Sequence, residues 1–235
     1  MGKKIRFHSI KFFDYDFKYI LNKLLNCGGY IVAPAASSLS EIFIKKKYYE
    51  SLKYADIAIL DSGFFCILLR IFKKAKVKKL SGYLFLKLLL ETKTIKNKKF
   101  FLINPTLMEQ KKNYYLLKSK GIINQKYYCS PLYNLSNYKD FKLLKELNLY
   151  RPDFIIINLG GGIQEPMGAF IKQNLKKKNT AIICTGAAIS FLTKVQAPIN
   201  EFYDNLYLGW MIRLIHKPKN YFPRIINSFK LLSLF

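Results

Sequence analysis

Five short apolar runs along the chain each end abruptly in a turn. Tyr30–Ala33 stops at Pro34, Ile57–Leu60 runs into Asp61-Ser62-Gly63, and Lys99–Ile103 is broken by Asn104-Pro105. Phe154–Asn158 passes into Leu159-Gly160-Gly161-Gly162, and Ala181–Cys184 into Thr185-Gly186-Ala187-Ala188. Runs this short and this apolar suit strands buried on both faces, which is how strands lie in parallel sheets. Helical stretches separate them: Ser37 and Ser38 offer N-caps for a helix to about Lys47, and Phe64–Lys73, Met108–Lys120, Tyr138–Leu147 and Glu165–Lys177 follow. Strands alternating with helices predict an α/β fold, a doubly wound parallel sheet with helices on both faces.

The pattern changes after Ala197-Pro198. No strand signal follows, Leu208, Met211, Ile212 and Ile215 share one helical face, and Ile225, Phe229 and Leu232 share another. From Asn205 onward there are five basic residues and no acidic ones. This divides the chain into a core over 1–197 and a C-terminal basic helical appendage over 198–235. The alternative is an ordinary terminal helix pair packed on the sheet. Pro218 and Pro223 are expected to cut the region into short helices, and a chain ending before residue 206 is expected to stay folded.

Forty basic against fourteen acidic side chains give a formal charge of +26. Lysine outnumbers arginine 35 to 5, so coding bias accounts for the excess as readily as a ligand does. Whatever its origin, such a surface attracts nucleic acid, anionic lipid and phosphorylated metabolites. The longest apolar runs, Ser62–Leu69 and Tyr83–Leu90, fall short of the roughly 20 residues a spanning helix needs. Met1–Lys4 is not followed by a leader-like segment, so a cytoplasmic location is expected. Cys27, Cys66, Cys129 and Cys184 form no CxxC pair and read as buried, reduced thiols. With only His8 and His216 besides, no metal site, catalytic triad or cofactor is expected.

In open α/β sheets ligands bind beyond the carboxyl ends of the strands, so the turns carry the candidate chemistry. Asp61 follows a strand directly and could act as a general base or cap the helix starting near Phe64. Gly160, Gly161 and Gly162 allow backbone amides close to a diphosphate ahead of a helix N-terminus; a plain tight turn reads equally well. Gln164 and Glu165 stand at that helix start, where they could grip sugar hydroxyls. Thr185 and Gly186 form the next such turn.

Taken in order, these segments resemble the WecG/TagA/CpsF glycosyltransferase family. The family's strand followed by Gly-Leu-Gly-x-Pro-x-Gln-Glu is met here by Phe154–Asn158 and Leu159-Gly160-Gly161-Gly162-Ile163-Gln164-Glu165. Its next turn and Gly-Lys-Val-x-x-Ala-Pro are met by Thr185-Gly186-Ala187-Ala188 and Thr193-Lys194-Val195-Gln196-Ala197-Pro198. Leu208-Gly209-Trp210-Met211-Ile212-Arg213-Leu214 and Pro218 match its Leu-Glu-Trp-x-x-Arg-Leu segment, and Ala55-Asp56 with Asp61-Ser62-Gly63 its upstream acidic one. The resemblance implies a Rossmann-like core with a C-terminal helical appendage. It implies inverting transfer of a hexosamine-type sugar, often N-acetylmannosamine, from a UDP-sugar to a lipid-linked saccharide diphosphate. That reaction belongs to cell-surface polysaccharide synthesis, proceeds without an obligatory metal, and takes place on the inner face of the cell membrane. By position, Asp61 would be the base, Gln164 would sit in the sugar-nucleotide site, and Arg213 and Arg224 would face phosphates.

The chain also departs from the family pattern. Ala33-Pro34-Ala35 replaces Thr-Pro-Asn, Ser190 an aspartate, and Asn104-Pro105 a Gly-Gly turn; Asn220 and Pro223 stand where arginines are common. A catalytically weakened member is one alternative. A basic nucleic-acid-binding protein using its 16% aromatic residues for stacking is another, although no nucleic-acid module is present and no specific nucleic acid is expected. A nucleotide-dependent oxidoreductase is disfavoured, because GxGxxG is absent. In peripheral attachment to an anionic membrane, the apolar faces and cations after Asn205 would supply the contact.

Overall fold

The computed structural model describes residues 2–195, 211, 214, 215 and 218–235. Eight strands form one sheet: β1 (Lys3–Phe7), β2 (Ile10–Asp14), β3 (Gly29–Val32), β4 (Ile57–Ile59), β5 (Phe100–Asn104), β6 (Gln125–Cys129), β7 (Phe154–Ile157) and β8 (Ala181–Cys184). Their spatial order is β1-β2-β4-β3-β8-β7-β5-β6. Every neighbouring pair is parallel except β1 with β2.

Alternate residues of the central strands enter opposite layers. Tyr30 and Val32, Ile155 and Ile157, and Ile182 and Cys184 face one layer, with α2 (Ala36–Leu39), α3 (Lys46–Lys53), α4 (Gly63–Lys73), α7 (Phe141–Tyr150) and α8 (Gln164–Asn174). Ile31, Ile156 and Ile183 face the other, with α1 (Phe17–Cys27), α5 (Gly82–Glu91), α6 (Leu107–Ser119) and α9 (Ala188–Leu192). This is a Rossmann-like α/β sandwich, as the alternation predicts. Side-chain caps set several helix starts: Ser62 accepts from the Phe65 amide, Ser81 from Leu84, Thr106 from Glu109 and Asp140 from Leu143.

Four elements differ from the sequence reading. The sheet is mixed, because β1 and β2 form an antiparallel hairpin whose turn places His8 and Ser9 at positive φ (42° and 65°). Such a turn usually carries Asn-Gly, and without that signal the hairpin has no local signature. The edge strand β6 is half-buried throughout and lacks an apolar run. The helix expected from Ser37 to Lys47 is two pieces, α2 and α3; Ser40 Oγ donates to the Ser37 carbonyl at 2.9 Å, a local bond that competes with helix continuation. Cys27 is exposed and Cys129 half-buried, so only Cys66 and Cys184 are buried thiols.

At the C-terminal end a helix, α10 (Pro218–Phe229), is followed by a 3-10 turn over Lys230–Leu234. Pro223 lies inside α10 and does not end it. Asn227 Nδ2 donates to Glu41 Oε1 at 2.7 Å and to the Ser37 carbonyl at 3.3 Å, fixing α10 against α2. Leu231 is fully buried in the sheet's first layer. Phe235 packs on Phe7, Phe65 and Phe72, with ring centroids 4.8, 6.0 and 5.5 Å apart, and His8 Nε2 meets the Leu234 carbonyl at 2.7 Å. These contacts remove the ground for expecting a chain cut before residue 206 to keep its fold, since the cut strips Phe7 and Phe65 of cover. Leu231→Ala is therefore expected to cost about 2–5 kcal/mol of stability, read from denaturant melts. A loss below about 0.5 kcal/mol, the range of ordinary surface substitutions, would show the end of the chain to be mere surface.

Candidate functional site

Four adjacent strands, β4, β3, β8 and β7, deliver the candidate residues to one edge of the sheet. Asp61 leaves the carboxyl end of β4. Its Oδ1 accepts the Gly82 amide at 2.8 Å, the first residue of α5. The cap of α4 is Ser62, so Asp61 does not cap that helix. Gly82 in turn presses on its neighbours: a Cβ there would lie 3.0 Å from Thr185 Cβ and 3.3 Å from Ala33 Cβ. The aspartate of β4, the end of β3 and the turn after β8 thus meet around one glycine.

The turns after β7 and β8 are knotted together from within. Gln164 Oε1 accepts the Gly186 amide at 2.9 Å, and its Nε2 donates to Glu165 Oε1 at 2.9 Å. Glu165 Oε2 accepts the Gly162 amide at 2.6 Å, and Tyr30 donates its hydroxyl to the Glu165 carbonyl at 2.7 Å. Gln164 and Glu165 are only 2% and 1% exposed. Both side chains are turned inward and hold the two turns in register, where the sequence suggested a grip on sugar hydroxyls. Gly162 and Gly186 sit at φ +91° and +63°, which side chains with a Cβ rarely adopt. One turn into α8, Gly168 lets the helix lie against the sheet; a Cβ there would come within 2.6 Å of Tyr30 Cε2 and 2.8 Å of Cys184 Sγ.

The knot decides which amides remain for a ligand. Gly162 gives its N–H to Glu165 and Gly186 gives its own to Gln164. The amides of Gly160 and Gly161 donate to nothing among the described residues. Gly160 and Gly161 are exposed, a Cβ at Gly160 would meet nothing within 4 Å, and Gly161 faces Ser38 Oγ of α2. The open side of the triple glycine is therefore its first two residues.

Sequence reasoning missed a second polar group behind this loop. Asn104 at the end of β5 accepts from Asn113 Nδ2 at 2.6 Å and from Asn158 Nδ2 at 3.0 Å. All three asparagines are buried, and Asn158 leads into the glycine turn. The signal was Asn104-Pro105 in place of the family's Gly-Gly, but its partners are 9 and 54 residues away. Thr185 Oγ1 and Asn158 Oδ1 are buried without a hydrogen-bond partner. Arg224 is exposed on α10 with its guanidinium 5.5 Å from the Tyr221 ring centre, one turn before the Asn227 anchor. Arg213 lies outside the described residues. Among the described residues no three His, Cys, Asp or Glu side chains converge as metal ligands.

Burial sets the protonation of the knot. Desolvation pushes the Glu165 carboxyl above its ordinary 4.5, opposed by the hydrogen bonds from Gln164 and Gly162. Burial also drives the Cys66 thiol up to about 12, with Arg70 and Lys79 pulling the other way, so it stays protonated and unreactive. For Glu165 the folded state holds the proton more tightly than the unfolded one. The associated stability is present below about pH 4.5 and is lost as pH rises toward the folded value. Gln mimics the neutral acid, so Glu165→Gln should compare most poorly with the parent near pH 4.5 and improve relative to it as pH rises. Denaturant melts at several pH values give that difference; one independent of pH would mean the carboxyl does not titrate above its ordinary range.

Among curated proteins none matches the chain. The family model described as "Glycosyl transferase WecG/TagA/CpsF family" matches residues 4–235, essentially the whole chain. With the strand ends, the glycine turn and the aspartate gathered at one edge, the chain belongs to the WecG/TagA/CpsF glycosyltransferase family.

Proposed function

We propose that the protein transfers a hexosamine-type sugar, of the N-acetylmannosamine kind, from a UDP-sugar to a lipid-linked saccharide diphosphate, inverting the anomeric centre. The observation that carries this reading is the placement of Asp61. Its carboxylate is fixed by the Gly82 amide beside Thr185, on the same edge as the open amides of Gly160 and Gly161. In this reaction Asp61 takes the proton from the acceptor hydroxyl as that oxygen attacks the anomeric carbon. The bond from that carbon to the UDP oxygen breaks, and its electron pair leaves with UDP. Negative charge growing on the diphosphate is met by the Gly160 and Gly161 amides and by cations, with Arg224 and Arg213 assigned by the resemblance. Gln164 and Glu165 serve the donor site by holding its two turns. As the resemblance implies, the step needs no obligatory metal.

A lipid-linked acceptor requires the enzyme to reach a bilayer. No helix among the described residues is long and apolar enough to cross one, so the proposed attachment is peripheral, at the inner face of the membrane. In this reading residues 198–235 are the membrane-proximal part. Phe222 and Ile226 are 58% and 51% exposed on α10, alongside exposed Lys219 and Arg224. Apolar side chains bordered by cations suit an interfacial helix on anionic lipid.

The test is UDP release from a panel of UDP-sugars with a lipid-linked acceptor. No release with any donor would overturn the reading. Asp61→Asn keeps an oxygen for the Gly82 amide but no basic carboxylate, so the folded variant should lose about 10²–10⁴-fold in turnover. Near-parental turnover would return Asp61 to a purely structural role at the start of α5.

A further inference from the structure

The outer face of α4 carries exposed apolar side chains. Ile67 and Ile71 are 41% and 62% exposed. At helical spacing they share that face with Arg70 and Lys74, three residues after each. The apolar strip widens onto the C-terminal segment: Phe64 of α4 packs edge-on against Phe229 at 5.5 Å, and Phe229 and Leu232 remain 56% and 44% exposed. A monomer in water gains nothing from such a strip.

The loop after α4 completes the picture. It is tied down at four points. Arg70 Nη2 donates to the Val77 carbonyl at 2.7 Å, the Lys78 amide to Asp14 Oδ1 at 3.0 Å, the Ala75 amide to the Leu69 carbonyl at 3.1 Å and the Leu80 amide to the Leu60 carbonyl at 3.1 Å. Between this loop and Asp14–Phe17 lies an open cleft of about 950 Å³, whose wall includes Lys74, Lys76 and Lys78 on one side and the carboxylates of Asp14 and Asp16 on the other, the lysines outnumbering them. The three ammonium groups form no ion pair among the described residues. The last bond of the loop, Leu80 to Leu60, is made next to Asp61.

We infer that α4 and the loop following it form a docking face for an anionic bilayer, with Ile67 and Ile71 entering the acyl boundary and Lys74, Lys76 and Lys78 holding lipid phosphate at the open cleft. Charge complementarity selects this occupant: an apolar strip that runs into unpaired lysines fits a layer of hydrocarbon beneath phosphate. A nucleic acid would use the lysines and leave the isoleucines idle; a second copy of this chain, at +26, would bring like charge to the lysines. The face begins beside Asp61, so docking through it brings that aspartate to the membrane. The inference rests on the proposed reading only for its purpose, and it extends the bilayer contact from the C-terminal segment to the core.

The experiment is sedimentation of the full chain with vesicles of phosphatidylcholine alone or mixed with phosphatidylglycerol, at low and high salt. Binding is expected only with phosphatidylglycerol and should weaken with salt. Lys74→Gln/Lys76→Gln/Lys78→Gln should bind about a hundredfold more weakly. Ile67→Asp/Ile71→Asp should lose binding at either salt concentration. Both variants should keep the parental melting profile and parental transfer to a short-chain, water-soluble acceptor. Parental vesicle binding by either folded variant would overturn the inference. So would binding equally well to neutral vesicles, or isoleucine-dependent self-association without vesicle binding. An inactive parent whose vesicle binding still follows the two variants would refute the transferase reading and leave the docking face standing.

Discussion

Water reaches neither face of the central strands. Val32, Ala58, Ile156 and Ile183 are all at 0% or near it, and helices cover both sides. A sheet buried this way has no room for polar chemistry along its length. Polar groups are confined to strand ends, where they must be satisfied by one another or by a ligand. The carboxyl edge meets that requirement in two ways. Glu165 and Gln164 bond each other and the Gly162 and Gly186 amides, and Asn104 bonds Asn113 and Asn158, while the Gly160 and Gly161 amides have no acceptor among the described residues. The division between scaffold and site follows from which donors the buried carboxylate takes.

This edge also shows how the chain accommodates its departures from the family pattern. Where a Gly-Gly turn is usual after β5, Asn104 ties Asn113 and Asn158 into a buried amide cluster. Where Thr-Pro-Asn is usual after β3, Ala33 supplies only a methyl group, and Gly82 packs against it. The first change puts hydrogen bonds where the family has bare backbone; the second removes polar side chains from the cleft. The aspartate after β4 and the Gln-Glu pair opening α8 remain, within a chain whose residues 4–235 match the family model.

Much of the fold was legible because parallel strands leave a strong local trace. Phe154–Ile157 and Ala181–Cys184 are apolar at every position, and a short run of that kind, closed by a glycine turn, suits a strand covered on both faces. The β1–β2 hairpin and β6 left no such trace, one for want of a turn signature and the other because an edge strand is half wet. For the site, Asp61 was visible as an acid after an apolar strand. The inward turn of Gln164 and Glu165 was not, since it depends on Gly186, 22 residues from Gln164, reaching the same corner. The C-terminal region is basic and amphipathic by spacing alone, yet its anchors, Leu231 and Phe235, look in sequence like any apolar residues near a terminus.

Those anchors set an order of events for the growing chain. The turn of the first hairpin is closed by a contact between His8 and Leu234, 226 positions apart. Phe7, in the first strand, has Phe235 as one of its ring neighbours. While the chain is being synthesised, the edge built from β1, β2 and α4 therefore stays unfinished until Leu234 and Phe235 emerge, whatever the progress of the central strands. Closing so long a loop is slow, and the apolar side chains waiting for it are exposed meanwhile. Residues 230–235 act as the latch of the fold, engaged only after the strands they cover.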